Sequence, residues 1–486
     1  MERWDAVETA ERIRRGDVKP GEMLEAAIAR VEAAAHLGAV VATAFDQARA
    51  RIGSLPAGVL AGVPTFVKDL SQIRGVATAW GSAGSGAFVS QRSDPFVVRF
   101  ARTGVVMIGK SATPELGLTA TTEPLFAPPT RNPRDLSRSS GGSSGGAGAL
   151  VGAGVVPIAH GSDGGGSIRI PAACCGVVGF KPSRGRLDME GSRFLPVNVA
   201  VHGVLTRSLR DTIVFHQAIA GLGEVSPAPP RSLRIGVFSD APGGTPVDPE
   251  VRAAVAAAAK ACAALGHEVS EVSCPFDGSV MDDFLAYWGF VAWIQVRSAR
   301  VTMHRGFDRT RIEPWTAGLI DSFRRGRRAA FAAIRRLRRF ARTWAREMHR
   351  CDVLLSPTLA QPAPPLGYLA PDQAFESHRE RIRTYAAFTP LANAAGAPAI
   401  SLPLGRSAQG LPIGVQLTAA RENDAMLLEL AQALYPSPSL PGPNEITGLD
   451  MGLPAGSQIP PRRSTTGEIR PRDTCGDAPG SIRRRE

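Results

Sequence analysis

Of the 56 basic residues in this 486-residue chain only five are lysines: Lys19, Lys68, Lys110, Lys181 and Lys260. An arginine-rich sequence that keeps a lysine asks for a reason, because a guanidinium stays charged while an ammonium can lose its proton and act as a base. Long apolar runs are also missing, and no stretch approaches the roughly 20 residues of a membrane-spanning helix. The opening MERWDAVETAERIRRGD lacks the basic end and apolar middle of a signal peptide, so a cytoplasmic protein is expected. Six cysteines (Cys174, Cys175, Cys262, Cys274, Cys351, Cys475) are too few for a small disulfide-framed domain, and the absence of any CxxC pair argues against a zinc knuckle or redox motif. Cys174 and Cys175 follow an apolar run into GVVGF and are expected to be buried, inert thiols. No repeat with a period of about 20 to 50 residues is apparent.

A formal charge of +12 would suggest a polyanion partner if it were spread over the chain. It is not spread. Residues 321–350 hold eleven arginines against Asp321 and Glu347, residues 461–486 hold seven against four acids, and the remainder is neutral. In the first stretch Phe331, Ile334, Leu337, Phe340 and Trp344 recur every three or four residues. That spacing predicts an amphipathic helix with its apolar face on the core and its arginines in solvent. A peripheral contact with a polyanion or membrane surface is the alternative.

Residues 5 to 50 are predicted to form helices, through AVETAERIRRGD and MLEAAIARVEAAAHLG. Short β-branched runs follow at 105–109, 155–159, 233–238 and 352–357, alternating with helical text such as PEVRAAVAAAAKACAALG. The alternation predicts an α/β fold around a buried sheet. Residues 276–350 turn aromatic and arginine-rich, which suggests a helical cap, and the strand pattern returns from 352 to 435. A single large domain over 5–435 is therefore expected, with 436–486, rich in Pro, Gly, Ser and Arg, as a disordered tail.

The glycine-rich stretch from 141 to 182 carries the most information, and several motifs compete for it and its surroundings. Gly104 to Ser111 fits GxxxxGK[ST] letter for letter, but its spacer Val105–Ile108 looks like a strand rather than a flexible phosphate cradle. GAGALVG at 146–152 misses the dinucleotide spacing by one residue. Gly141–Gly145 satisfies GxSxG, the elbow of α/β-hydrolase esterases, and His202, His267 and His378 lie downstream as that order needs. Against the elbow, no apolar strand leads into Gly141. The remaining option uses Ser143 and Ser167 with Lys68, which lies in GVPTFVKDL, where Phe66, Val67 and Leu70 would desolvate an ammonium and lower its pKa.

Lys68 in VPTFVKD, Ser143 in GGSSGG preceded by TRNP, and Ser167 in GSDGGGSIRIPA followed by CGVVGFKPS together resemble the amidase signature family. FTPLANAAGAPAISLPLG and GLPIGVQL extend the resemblance to about residue 435. The KDL, TTEP (121–124) and PIAHGSD phrases resemble the branch of bacterial amidases around 6-aminohexanoate-cyclic-dimer hydrolase. The tRNA-linked amidotransferase branch typically has KDN and a glutamine where this chain has Leu70 and Ile170. The resemblance implies a central mixed β-sheet covered by helices and hydrolysis of an amide through an acyl-enzyme. It also implies Ser167 as nucleophile, Ser143 as proton relay after a cis bond, and Lys68 as base. Gly164, Gly165 and Gly166 would form the oxyanion hole, with Ser144, Asp163 and Arg169 in support. Residue 164 is usually larger in the family. Neither metal nor cofactor is implied. The expected partner is a small-molecule amide, nucleic acid is not expected, and a homodimer and a catalytically silent relative remain open.

Overall fold

Thirteen strands are present among the described residues: β1 (Val40–Thr43), β2 (Pro64–Lys68), β3 (Val106–Ser111), β4 (Arg131–Asn132), β5 (Asp135–Ser139), β6 (Ile158–Asp163), β7 (Val178–Lys181), β8 (Val201–Thr206), β9 (Arg234–Val237), β10 (Glu268–Glu271), β11 (Val353–Pro357), β12 (Ala399–Arg406) and β13 (Pro412–Ala419). Eight form one mixed sheet in the order β10-β9-β11-β13-β12-β7-β8-β6. Its pairs β10–β9 and β9–β11 are parallel and the rest antiparallel. β1, β3 and β2 make a second, three-stranded sheet, and β4 with β5 a separate hairpin. β6, β7, β8 and β11 are buried at every residue, which is why they lack the alternation of a half-exposed strand.

This computed structural model describes residues 4–86, 88–226 and 231–436. Met1–Pro441 forms one compact unit, and the second unit, Gly442–Glu486, lies outside the described residues together with most of the expected tail. The predicted α/β architecture with a large mixed sheet is the one observed. Helices Ala6–Arg15, Pro20–Ala33 and Pro249–Ala264 also fall where expected. Asp5 and Asp248 accept from the backbone of Glu8 and Glu250 and so cap two of them. The strand expected at 155–159 begins instead at Ile158, because the Val155 N–H is spent on Leu150 O at the end of helix Gly145–Gly152.

Residues 276–350 hold helices Ser279–Thr302, Pro314–Arg325 and Arg327–Glu347, which pack on one another. The last buries Ile334, Leu337, Phe340 and Trp344 and turns its arginines outward. Phe331 departs from the expected apolar face and is 54% exposed. It lies six residues before Leu337, which is about 120° around a 3.6-residue helix.

The two larger sheets meet where β2 lies along β6. Thr65 Oγ1 donates to Ile158 O at 2.9 Å, and the Lys68 N–H donates to His160 Nδ1 at 3.2 Å. This seam brings the end of β2 to the glycine-rich turns.

Candidate active site

Lys68 is the last residue of β2 and is fully buried. Its Nζ lies 2.8 Å from Ser143 Oγ, 3.1 Å from Ser162 Oγ and 3.5 Å from Ser162 O. Among the described residues no carboxylate forms an ion pair with it. Burial therefore drives its pKa down to about 7, with only partial opposition from Asp163. Lys110, on the adjacent strand β3, is the instructive contrast. It is equally buried, but its Nζ sits 2.8 Å from Asp69 Oδ1 and 3.1 Å from Thr78 Oγ1. One lysine has a counter-ion and the other has hydroxyls.

Ser143 lies in the turn between β5 and helix Gly145–Gly152, and the Gly142–Ser143 peptide is cis. Gly142 has to be glycine, since a Cβ there would come within 2.3 Å of Thr121 O. Ser167 sits in the turn between β6 and helix Arg169–Cys175 and is 8% exposed. The Ser144 N–H donates to Ser167 O at 3.2 Å, which ties the two turns together. The Ser144 side chain bonds across to Ser162, as acceptor from its N–H and donor to its carbonyl, rather than within its own turn.

Asp163 and Arg169 brace the Ser167 turn. Asp163 accepts from Gly166 N at 2.7 Å, from Ile168 N at 3.2 Å, and from Arg169 Nε and Nη2 at 3.0 Å each. Arg169 also donates to Thr389 O, Gln416 Oε1 and Asn393 Oδ1. Burial pushes the Asp163 carboxyl up, but the Arg169 guanidinium outweighs it and holds the group well below the usual carboxylate range. One expectation is corrected here. The Gly166 N–H, expected to face an oxyanion, is taken by Asp163.

Behind Lys68 runs a hydrogen-bonded series whose tautomers follow from its first member. His160 Nδ1 accepts from Lys68 N, so its proton lies on Nε2, 3.0 Å from His202 Nδ1, and His202 Nε2 in turn donates to Glu190 Oε2 at 2.8 Å. Burial, with His202 and Lys68 nearby, holds His160 well below the ordinary imidazole range and keeps it neutral.

Ser167 opens onto an apolar pocket walled by Leu118, Ile170, Phe284, Trp288 and Trp315. Both indole N–H groups donate to Leu118 O, at 2.9 Å and 3.0 Å, so the polar edges are satisfied and the ring faces stay apolar. Tyr287, Val291 and Ala292 are core, but Trp288 faces the pocket. A Cβ on Gly164 would lie 3.1 Å from Trp288 Cη2, so the glycine at this position makes room for the indole.

The rival motifs find no site. The GKS at 109–111 ends strand β3, and its lysine is the one paired with Asp69. GAGALVG lies inside helix Gly145–Gly152 and is nearly all buried. A strand does precede GxSxG, but it belongs to the polar β4–β5 hairpin and not to a central sheet, and Ser143 bonds to a lysine and not to a histidine. Cys174 and Cys175 are fully buried with thiols pushed up by desolvation, as expected. Sequence reasoning missed Ser162, the Glu190 end of the histidine series, Asn393 and Trp315. Asn393 and Ser162 lay inside segments already singled out, but a side chain that works by touching another element leaves no local signal.

A helix-covered mixed sheet with a buried lysine among serines is the architecture of an amidase. The family model described as Amidase matches residues 22–428, and the chain belongs to that family. It is a hydrolase of carbon–nitrogen bonds. Over 444 residues it is 42% identical to "Putative amidase AmiC" of Mycobacterium tuberculosis, covering 88% of this chain and 93% of the relative. It is 36% identical over 468 residues to the 6-aminohexanoate-cyclic-dimer hydrolase of a Pseudomonas species, covering 88% and 94%. The solved structure of 6-aminohexanoate cyclic dimer hydrolase complexed with substrate matches with a TM-score of 0.83 at 34% identity, over 89% of this chain and 97% of that one. Among the described residues no helix is long and apolar enough to cross a membrane.

Proposed function

We propose that this amidase works through Ser167, Ser143 and Lys68 on a small-molecule amide with an apolar acyl side. The observation that carries the reading is the 2.8 Å contact of Lys68 with Ser143, made by a buried lysine that has no carboxylate partner among the described residues. A lysine with a pKa near 7 is largely neutral at mildly alkaline pH and can accept a proton.

Ser167 Oγ attacks the amide carbonyl carbon while its proton passes to Ser143 Oγ and the Ser143 proton passes to Lys68 Nζ. The negative charge that forms on the carbonyl oxygen meets the amides of Gly164, Gly165 and Ser167. Each such donor is typically worth about 3 to 4 kcal/mol. The lysine proton then returns through Ser143 to the leaving nitrogen, the carbon–nitrogen bond breaks, and Ser167 holds the acyl group as an ester. A water attacking by the same relay releases the carboxylate and restores Ser167. Phe284, Trp288 and Trp315 receive the acyl chain, and the helical segment 276–350, which supplies all three, acts as the cap.

Labelling with a fluorophosphonate followed by peptide mapping tests the assignment. Modification on Ser167, abolished by Ser167→Ala, is the expected result. Modification on Ser143 would instead favour an esterase-type elbow, and no modification a silent relative.

A further inference from the structure

A second cavity opens between helices Ser279–Thr302 and Pro314–Arg325, with a volume of about 300 Å³. It shares no lining residue with the pocket at Ser167. Its walls are apolar, with Trp293, Ile312 and Ile320 among them, and its polar lining consists of Arg297, Arg309 and Arg324. Arg297 and Arg324 are exposed and Arg309 is half-buried, so the polar lining of the hollow is wholly cationic. Among the described residues none of the three makes an ion pair. The nearest acids in sequence are committed elsewhere. Asp308 accepts from Thr310 N and Oγ1, and Asp321 pairs with Arg325.

Arg309 is the fixed member of the three. Its Nη2 donates to Arg297 O at 2.8 Å, while its Nε is buried with no hydrogen-bond partner among the described residues. An unmet buried donor on a cation is costly, and a carboxylate would satisfy it by a charge-assisted bond. Trp293, Ile312 and Ile320 offer the same ligand an apolar surface.

We infer that this cavity is a binding site for a single-chain amphiphilic carboxylate of the fatty-acid class, with the head group on Arg309, Arg297 and Arg324 and the chain against Trp293. The inference stands apart from the reading of the Ser167 site. The same helix, Ser279–Thr302, sends Phe284 and Trp288 to one pocket and Trp293 to the other.

The full chain is titrated with sodium decanoate, with decanol and with decyltrimethylammonium, each below its micelle concentration, by calorimetry and tryptophan fluorescence. Decanoate is expected to bind at least tenfold more tightly than either of the others. Arg309→Gln with Arg324→Gln is expected to weaken it at least tenfold, and Trp293→Phe to remove the fluorescence change while leaving the heat. Ala317→Glu, which places a carboxylate on the exposed lining of the cavity, gives an independent variant and is also expected to weaken decanoate. Far-ultraviolet circular dichroism confirms that each variant is folded. Equal affinity for decanol and decanoate would overturn the proposal. So would binding that survives the double glutamine variant but is lost in Trp288→Ala, since that places the ligand in the Ser167 pocket.

Discussion

Ser162 meets the Lys68 amine twice, through Oγ at 3.1 Å and through its carbonyl at 3.5 Å, while Ser143 Oγ stands at 2.8 Å. A neutral amine has two hydrogens and one lone pair. In the neutral form proposed for catalysis, both hydrogens can go to Ser162, which leaves the lone pair for the Ser143 hydroxyl as the proposed base requires.

Ser162→Ala is therefore expected to lower kcat by about 100-fold, the lower range for misplaced acid–base catalysis, with KM nearly unchanged. Ser162→Thr keeps the hydroxyl and should restore most of the rate. Steady-state kinetics of the two variants decide it, and an unchanged kcat in the alanine variant would remove Ser162 from the mechanism.

Burial places the Lys68 pKa at about 7. Below that value the amine carries a proton and cannot take another, so the rate should fall as pH drops through about 7 and reach a plateau above it. A kcat/KM profile on a neutral amide checks the sign. Lys68→Arg should be inactive at every pH, because its guanidinium never becomes a base.

Gly164→Ile puts a side chain where Trp288 Cη2 now lies 3.1 Å from the Cβ position. The indole must shift, and KM for an amide with a bulky apolar acyl group is expected to rise about tenfold. Trp288→Ala should make the two changes non-additive, as expected for residues in contact. Additive effects in the four-way comparison would show that the pair is not coupled.

Arg169 and Asp163 are both fully buried. Removing one partner leaves an uncompensated buried charge at a cost of about 3 to 5 kcal/mol. Arg169→Met should lower the denaturation free energy by that amount and also reduce fluorophosphonate labelling, since Asp163 then loses the partner that anchors it beside the Gly166 and Ile168 amides. Chemical denaturation of the purified variant measures the first, and labelling rates the second.

The division between what was legible and what was not follows the range of the forces involved. The sequence by itself determined the α/β alternation and the helices at 6–15, 20–33 and 249–264, and it singled out Lys68, Ser143 and Ser167 as candidates. Those signals are local: hydrophobic period, helix-forming composition, and a lysine standing where arginine was the habit. The polar text of β6, IAHGSD, did not announce that all six residues are buried. It is stable there only because His160 and Ser162 find partners on β2 and Asp163 finds Arg169. Phe331 pointed outward because the buried face of its helix is set by what packs against it. The Gly166 N–H is not free for the expected role because Asp163, three residues earlier, folds back to claim it. Only the tertiary structure decided that Lys68 lacks the counter-ion that Lys110 has. Hydrogen bonding and charge pairing between distant segments depend on distances of a few ångströms, and the order of residues along the chain does not set those distances.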